Sequence, residues 1–264
     1  MLIDSHAHLD YEYEQSTPEL LALAKAAGVD RVIAVAAAVD SLKRVRELSE
    51  TYPNVFFTSG IHPHDSKDFT PEIFAEIREL AAHPRCVAVG ELGLDYHYDL
   101  SDRPLQHDAL KQQLAFSAEL GKPVIVHTRD ADADTVTFLT EHAAQFRARH
   151  GDKSPGVIHC FTGTAELAKA CLALGYYISF SGIITFKTAG DLREVVRDIV
   201  PLEKILVETD SPFLAPIPFR GKKNMPAHTR VVAEKVAELK GLSLEAVAAA
   251  TRANTELLFG LPSA

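Results

Sequence analysis

Six histidines and three acids in this chain stand where their side chains could share metal ions. His6-Ala7-His8 and His62-Pro63-His64 are pairs two residues apart, while His127 and His159 each close a short apolar run. Glu91 follows Val87-Ala88-Val89-Gly90, and Glu208-Thr209-Asp210 follows Ile205-Leu206-Val207. Side chains two apart on a strand point the same way, so His6 and His8 can reach one ion. A carboxylate ending an apolar strand needs a cation, a proton or a hydrogen bond, because burying it bare is costly. Imidazole with carboxylate suits Zn²⁺ or Mn²⁺, and carboxylate with water suits Mg²⁺. His6, His8, His127 and His159 with two or three acids exceed what one tetrahedral ion uses. Two divalent cations bridged by a carboxylate fit that count. Taken singly, each residue has an ordinary reading as a surface histidine, a satisfied core histidine or a salt-bridge partner. The argument is their convergence.

That convergence depends on the elements that carry them. Eight short runs rich in Val and Ile read as buried parallel strands: Leu2–Ser5, Arg31–Ala36, Val55–Gly60, Cys86–Gly90, Pro123–His127, Gly156–His159, Tyr176–Phe180 and Lys204–Glu208. Helical patterns alternate with them. Thr17-Pro18-Glu19 and Thr70-Pro71-Glu72 each place a capping hydroxyl, a first-turn proline and an acid near the positive helix end. Ile73, Phe74, Ile77, Leu80 and Ala81 then form one apolar face, and Thr164 opens a helix carrying Leu167, Cys171 and Leu174. Alternating strands and helices imply a parallel sheet. Eight repeats in 264 residues predict one single-domain (β/α)8 TIM barrel over residues 1–264, the length such barrels commonly have. A doubly wound open sheet is the alternative, but no GxGxxG follows the first strand. In a closed barrel the C-terminal strand ends meet at one face, so the metal-competent residues would meet there too.

Other catalytic designs find no support. There is no GxSxG elbow and no GxxxxGK[ST] loop. Strand alternation sends Cys160 to the side opposite His159, which disfavours a thiol–imidazole pair. Composition is ordinary globular, 47% hydrophobic and 24% charged, without an apolar run of membrane-spanning length or a signal-peptide start. Three cysteines without a CxxC read as reduced thiols of a cytoplasmic protein. A net charge of −9 argues against a surface that grips nucleic acid everywhere. Arg220, Lys222, Lys223 and Arg230, with no acid between Asp210 and Glu234, form the exception, a local basic segment beside the expected site.

Six segments in order resemble the TatD-type metal-dependent deoxyribonucleases, a branch of the amidohydrolase-like barrels. They are Asp4-Ser5-His6-Ala7-His8-Leu9, Gly60-Ile61-His62-Pro63-His64, Gly90-Glu91-Leu92-Gly93-Leu94-Asp95-Tyr96, His127-Thr128-Arg129-Asp130-Ala131, His159-Cys160-Phe161-Thr162-Gly163, and the run from Glu208-Thr209-Asp210 to Pro216. The resemblance implies one metal held by His6, His8 and Asp210, a second held by His127 and His159, and Glu91 bridging both. It makes Asp210 the group that orients or deprotonates the attacking water, and Glu208 an auxiliary acid. It assigns His62, His64 and Arg220 to the substrate phosphate. Met225 stands where the family more often has Glu, which bears on strand contacts in that loop rather than on the metals. No lysine lies in the fourth or fifth strand to be a carbamylated bridge, unlike the lactonase-like and phosphotriesterase-like relatives. The implied reaction is hydrolysis of DNA, as a single strand or at 3′ ends, with two ions drawn from Zn, Mg or Mn. A monomer is compatible with the sequence. Two other readings remain, a barrel hydrolase of a small ester, amide or phosphate, and a non-catalytic metal- or nucleic-acid-binding barrel.

Overall fold

Each apolar run becomes a strand in the computed structural model, which describes residues 1–262. The strands are β1 Leu2–Ala7, β2 Val29–Ala34, β3 Val55–Ser59, β4 Cys86–Asp95, β5 Val124–Arg129, β6 Gly156–Ile158, β7 Tyr177–Phe180 and β8 Ile205–Val207. They pair in parallel in sequence order. The ring closes where Ala7 bridges Ser211, the His8 amide donates to the Ser211 carbonyl at 2.8 Å, and the Asp210 amide donates to the His6 carbonyl at 2.9 Å. Asp4 fastens the same seam, accepting from the Thr209 hydroxyl at 2.6 Å and the Thr209 amide at 3.0 Å. The result is the (β/α)8 barrel that strand–helix alternation predicts.

Helices α1 Thr17–Ala26, α2 Ser41–Thr51, α3 Pro71–Ala81, α4 Arg103–Leu120, α5 Asp132–His150, α6 Ala165–Ala173, α7 Gly190–Glu194, α8 Thr229–Lys240 and α9 Leu244–Phe259 lie between and after the strands. Thr70 and Thr164 cap α3 and α6 as expected, accepting from the amides of Ile73 and Leu167. At α1 the cap is Ser16, one residue before Thr17. Its amide and hydroxyl both donate to Glu19, which closes a capping box.

Strand alternation sorts the core into two clusters. Leu2, Val32, Val55 and Phe57 pack outward against helical residues such as Leu42, Val45 and Ile77. Ile3, Ile33, Phe56, Ile125, Val157 and Leu206 fill the barrel interior, joined by Leu258, Phe259 and Leu261 from the chain end. This part of the interior is therefore apolar, and the polar side chains gather at the opposite, C-terminal mouth.

Register slips in β1, β2 and β4, and the slip late in β1 and the one late in β4 serve that mouth. Asp4 pairs with Val32 and Ala7 with Ala34, so three steps along β1 match two along β2. Val89 pairs with Val124 and Leu92 with Val126, a second extra residue, in β4. Such bulges reverse which face the next side chains occupy. His6 in β1 and Glu91 in β4 are turned inward by them, while Ala7 and Leu92 remain in the outer cluster. Glu91 is thus inside β4 rather than at its end, since the strand runs on to Asp95.

Candidate metal centre

At the mouth, Glu91 is the hub. Its buried carboxylate turns one oxygen to each of two groups of imidazoles. Oε2 lies 3.3 Å from His6 Nε2 and 3.9 Å from His8 Nε2. Oε1 lies 2.8 Å from His159 Nε2, 3.3 Å from His127 Nδ1 and 3.4 Å from His62 Nε2. Asp210 joins the first group, with Oδ1 3.3 Å from His8 and 3.7 Å from His6. The rings of His6 and His159 stack at 3.9 Å and link the two groups. Donor atoms of His6, His8 and Glu91 lie within 4.8 Å of one another, as do those of His62, Glu91 and His127, and of His6, His159 and Glu208.

This donor set fits divalent cations. Nitrogen and carboxylate ligands are the ordinary ones for such ions. His159 Nε2 is buried and aimed at Glu91 without a hydrogen-bond partner. The electrostatics agree. Burial works to raise Glu91, but His159, His62 and His6 outweigh it and hold the carboxyl well below the usual range. Burial would lower His8, yet its hydrogen bond and charge pairing with Asp210 push it up to about 9. His159 likewise rises well above an ordinary histidine, because Glu91 and Glu208 overcome its burial. His62 goes the other way, to about 4, with burial the main cause. The ionised carboxylates here attract positive charge strongly, and a bound cation would take the place of the protons that His8 and His159 retain.

The residues named from the sequence divide as follows. His6, His8, Glu91, His127, His159 and Asp210 converge at the mouth. His62, read as a phosphate contact, stands within ligand distance of the Glu91 cluster, its Nε2 3.4 Å from Oε1. His64 remains on the wall of the mouth, its Nε2 2.9 Å from Asp95. Glu208 accepts from His159 Nδ1 at 3.2 Å and from the Cys160 amide at 2.7 Å. Arg220 lies with its guanidinium 3.9 Å from the Phe186 ring and does not line the cavity. The rest of the basic segment is partly engaged elsewhere, Lys223 on the Glu12 carbonyl and Arg230 on Glu234. Cys160 corrects the strand argument. β6 stops at Ile158, alternation no longer applies, and Cys160 lines the cavity beside Ser181. Burial, with Asp210 and Glu208 nearby, pushes its thiol well above the ordinary range, which keeps it a protonated, poor nucleophile.

Sequence reasoning missed Asp95 as a functional residue. It is fully buried, its Oδ1 accepts from the amides of His97 and Tyr98, and its Oδ2 faces His64 at 2.9 Å and His127 at 3.1 Å. Burial works to raise its pKa, but the hydrogen bonds from His127, His64 and Tyr98 hold it low. The signal was present in the second half of Gly90-Glu91-Leu92-Gly93-Leu94-Asp95, beyond the assumed end of the strand. Gly93 is the spacer. A Cβ there would sit 1.8 Å from the His127 carbonyl oxygen, so only glycine lets β4 and β5 run side by side at this height.

A cavity of about 390 Å³ opens over these groups, walled also by Tyr11, Tyr98, Arg129 and Phe213. The model of the TatD-related DNase family matches residues 3–260. The chain belongs to the TatD family. A Bacillus subtilis relative named as an uncharacterized metal-dependent hydrolase, YabD, is 43% identical over 260 residues, covering 98% of this chain and 99% of that one. The 3′-5′ ssDNA/RNA exonuclease TatD of Citrobacter rodentium is 36% identical over 255 residues, covering 95% and 94%. The crystal structure of the Escherichia coli TatD homologue YjjV superposes with a TM-score of 0.88 at 30% identity, covering 99% of this chain and 98% of that one. This TatD chain is thus a member of a metal-dependent hydrolase family. No helix among its described residues is long and apolar enough to cross a membrane.

Proposed function

We propose that the chain is a metal-dependent nuclease that hydrolyses DNA phosphodiester bonds, removing nucleotides from the 3′ end of a single strand. The observation that carries this reading is the Glu91 carboxylate, divided between His6 and His8 on one side and His62, His127 and His159 on the other. Relatives named 3′-5′ ssDNA/RNA exonuclease, at 35% and 36% identity, support the substrate. His6, His8, Asp210 and Glu91 Oε2 would hold one divalent ion, and His127, His159 and Glu91 Oε1 a second, with His62 in reach of the same oxygen. When bound, such ions lower the pKa of a water and offset the charge of the phosphodiester. Asp210, ionised because His8 and His6 outweigh its burial, orients that water and accepts its proton. Glu208 accepts from His159 Nδ1 and so presents Nε2 toward the centre. His64, partly exposed on the wall, meets the phosphate oxygens.

The test strips the protein with a chelator, restores Mg²⁺, Mn²⁺ or Zn²⁺ separately, and follows end-labelled single-stranded DNA. Metal-dependent stepwise shortening is expected, with loss of at least about a hundredfold in Glu91→Gln and Asp210→Asn that keep their fold. Wild-type-like shortening in both variants would sink the assignment. Turnover of small chromogenic esters without any attack on DNA would move the same centre to a small-molecule hydrolase, the reading that a net charge of −9 favours.

A further inference from the structure

The chain has 13 Phe and 7 Tyr, nearly all packed into the structure. Among the described residues three of these rings stand more than a third exposed, Tyr11 at 43%, Phe213 at 46% and Tyr98 at 53%, and all three line the one cavity that holds Glu91. Large exposed rings gathered at one polar mouth mark a binding surface rather than scattered surface apolar residues. Their placement follows the barrel. Tyr11 comes after β1 and Phe213 after β8, neighbours across the seam, and their rings meet edge to face at 5.5 Å beside His8. Tyr98 comes after β4, on the far side of an eight-strand ring, next to His64, with the Arg129 guanidinium 4.8 Å from its centroid. The metal-facing side chains lie between the two groups.

We propose that Tyr11 with Phe213, and Tyr98 with Arg129, are two base-stacking platforms that hold the nucleosides on either side of the scissile phosphate. Every nucleobase has a flat face, so aromatic rings and a guanidinium bind successive bases with little regard to sequence. In a duplex, bases are stacked on their neighbours and even the terminal pair bares only one face, so two successive bases cannot both be taken up. The platforms therefore select a single strand, and this inference rests on the nuclease reading above.

The experiment uses the metal-loaded protein and oligonucleotides protected by 3′ phosphorothioate linkages, with 2-aminopurine at the last or the penultimate position. Binding should quench both probes. Phe213→Leu, Tyr11→Leu and Tyr98→Leu should each raise the Kd for the single strand by about 5- to 150-fold, the range that loss of one base–aromatic stack corresponds to. The Kd for a blunt duplex should stay nearly constant. Phe213→Trp should restore single-strand affinity, which a merely space-filling role would not require. Leucine variants that bind single strands like the wild type, while the wild type still shortens DNA with metal, overturn the platforms and leave the nuclease reading intact. A wild type that neither binds nor cleaves any oligonucleotide with any metal overturns both.

Discussion

Replacing Asp95 by asparagine changes one buried atom and should disable a ligand that it does not itself replace. Oδ1 of an asparagine can still accept from the amides of His97 and Tyr98, which now lie at 3.0 and 2.8 Å. Its amide nitrogen would then stand where Oδ2 faces His127 Nε2 at 3.1 Å and His64 Nε2 at 2.9 Å. The carboxylate requires Nε2 of His127 to carry the proton, which leaves Nδ1 unprotonated toward Glu91 Oε1, 3.3 Å away. An amide donor reverses this, favouring the Nδ1–H tautomer, which cannot bind a cation. Loss of such an orienting carboxylate weakens metal binding by about 10–100-fold, or about 1.4–2.7 kcal/mol. Competitive titration against a chromophoric chelator reads this directly, without any assay of turnover. One class of site should weaken by that factor while the site built on His6 and His8 keeps its affinity. Equal, wild-type affinity at every site in Asp95→Asn would refute the tautomer argument.

Two further outcomes follow from other parts of the molecule. His142 is buried, about 4 in pKa because of that burial, and hydrogen-bonded as a neutral ring to Tyr176 and Ser117. An ordinary histidine titrates near 6.5, so the unfolded chain takes up a proton that the folded chain refuses as pH falls from about 6.5 to 4. His142 therefore costs about 3 kcal/mol of stability by the acid end of that window and nothing above it. Urea midpoints measured across that range should fall less steeply in His142→Gln, and parallel curves would refute the assignment. Gly93→Ala should destabilise the fold by several kcal/mol, because its Cβ falls 1.8 Å from a backbone oxygen and its φ of +148° suits glycine alone. Thermal melts check the stability, and metal titration of any folded fraction should show weakened binding through the displaced His127.

Much of this protein is legible in its residues. Hydrophobic runs punctuated by turns mark all eight strands, because burial on both faces demands continuous Val and Ile whatever the neighbours are. Histidines and acids following those runs name the members of the centre, because a closed parallel ring brings its strand ends together. Local chemistry also sets two of the three helix caps examined from sequence. At α1 it misses by a residue, since Ser16 and Thr17 are both competent and only the reach of Glu19 selects the first.

What the tertiary structure decided is register. The extra residues in β1 and β4 turn His6 and Glu91 into the barrel, and nothing in Asp4-Ser5-His6-Ala7 or Val89-Gly90-Glu91-Leu92 states where pairing with β2 and β5 will slip. Only the assembled ring, likewise, shows that β4 runs on to Asp95, that β6 ends before Cys160, and that His62 stands by Glu91 while Arg220 rests on Phe186. Sequence determines residue type and hydrophobic period, which are local. The direction of a side chain depends on hydrogen bonds to a neighbouring strand tens of residues away, and those exist only once the ring has closed.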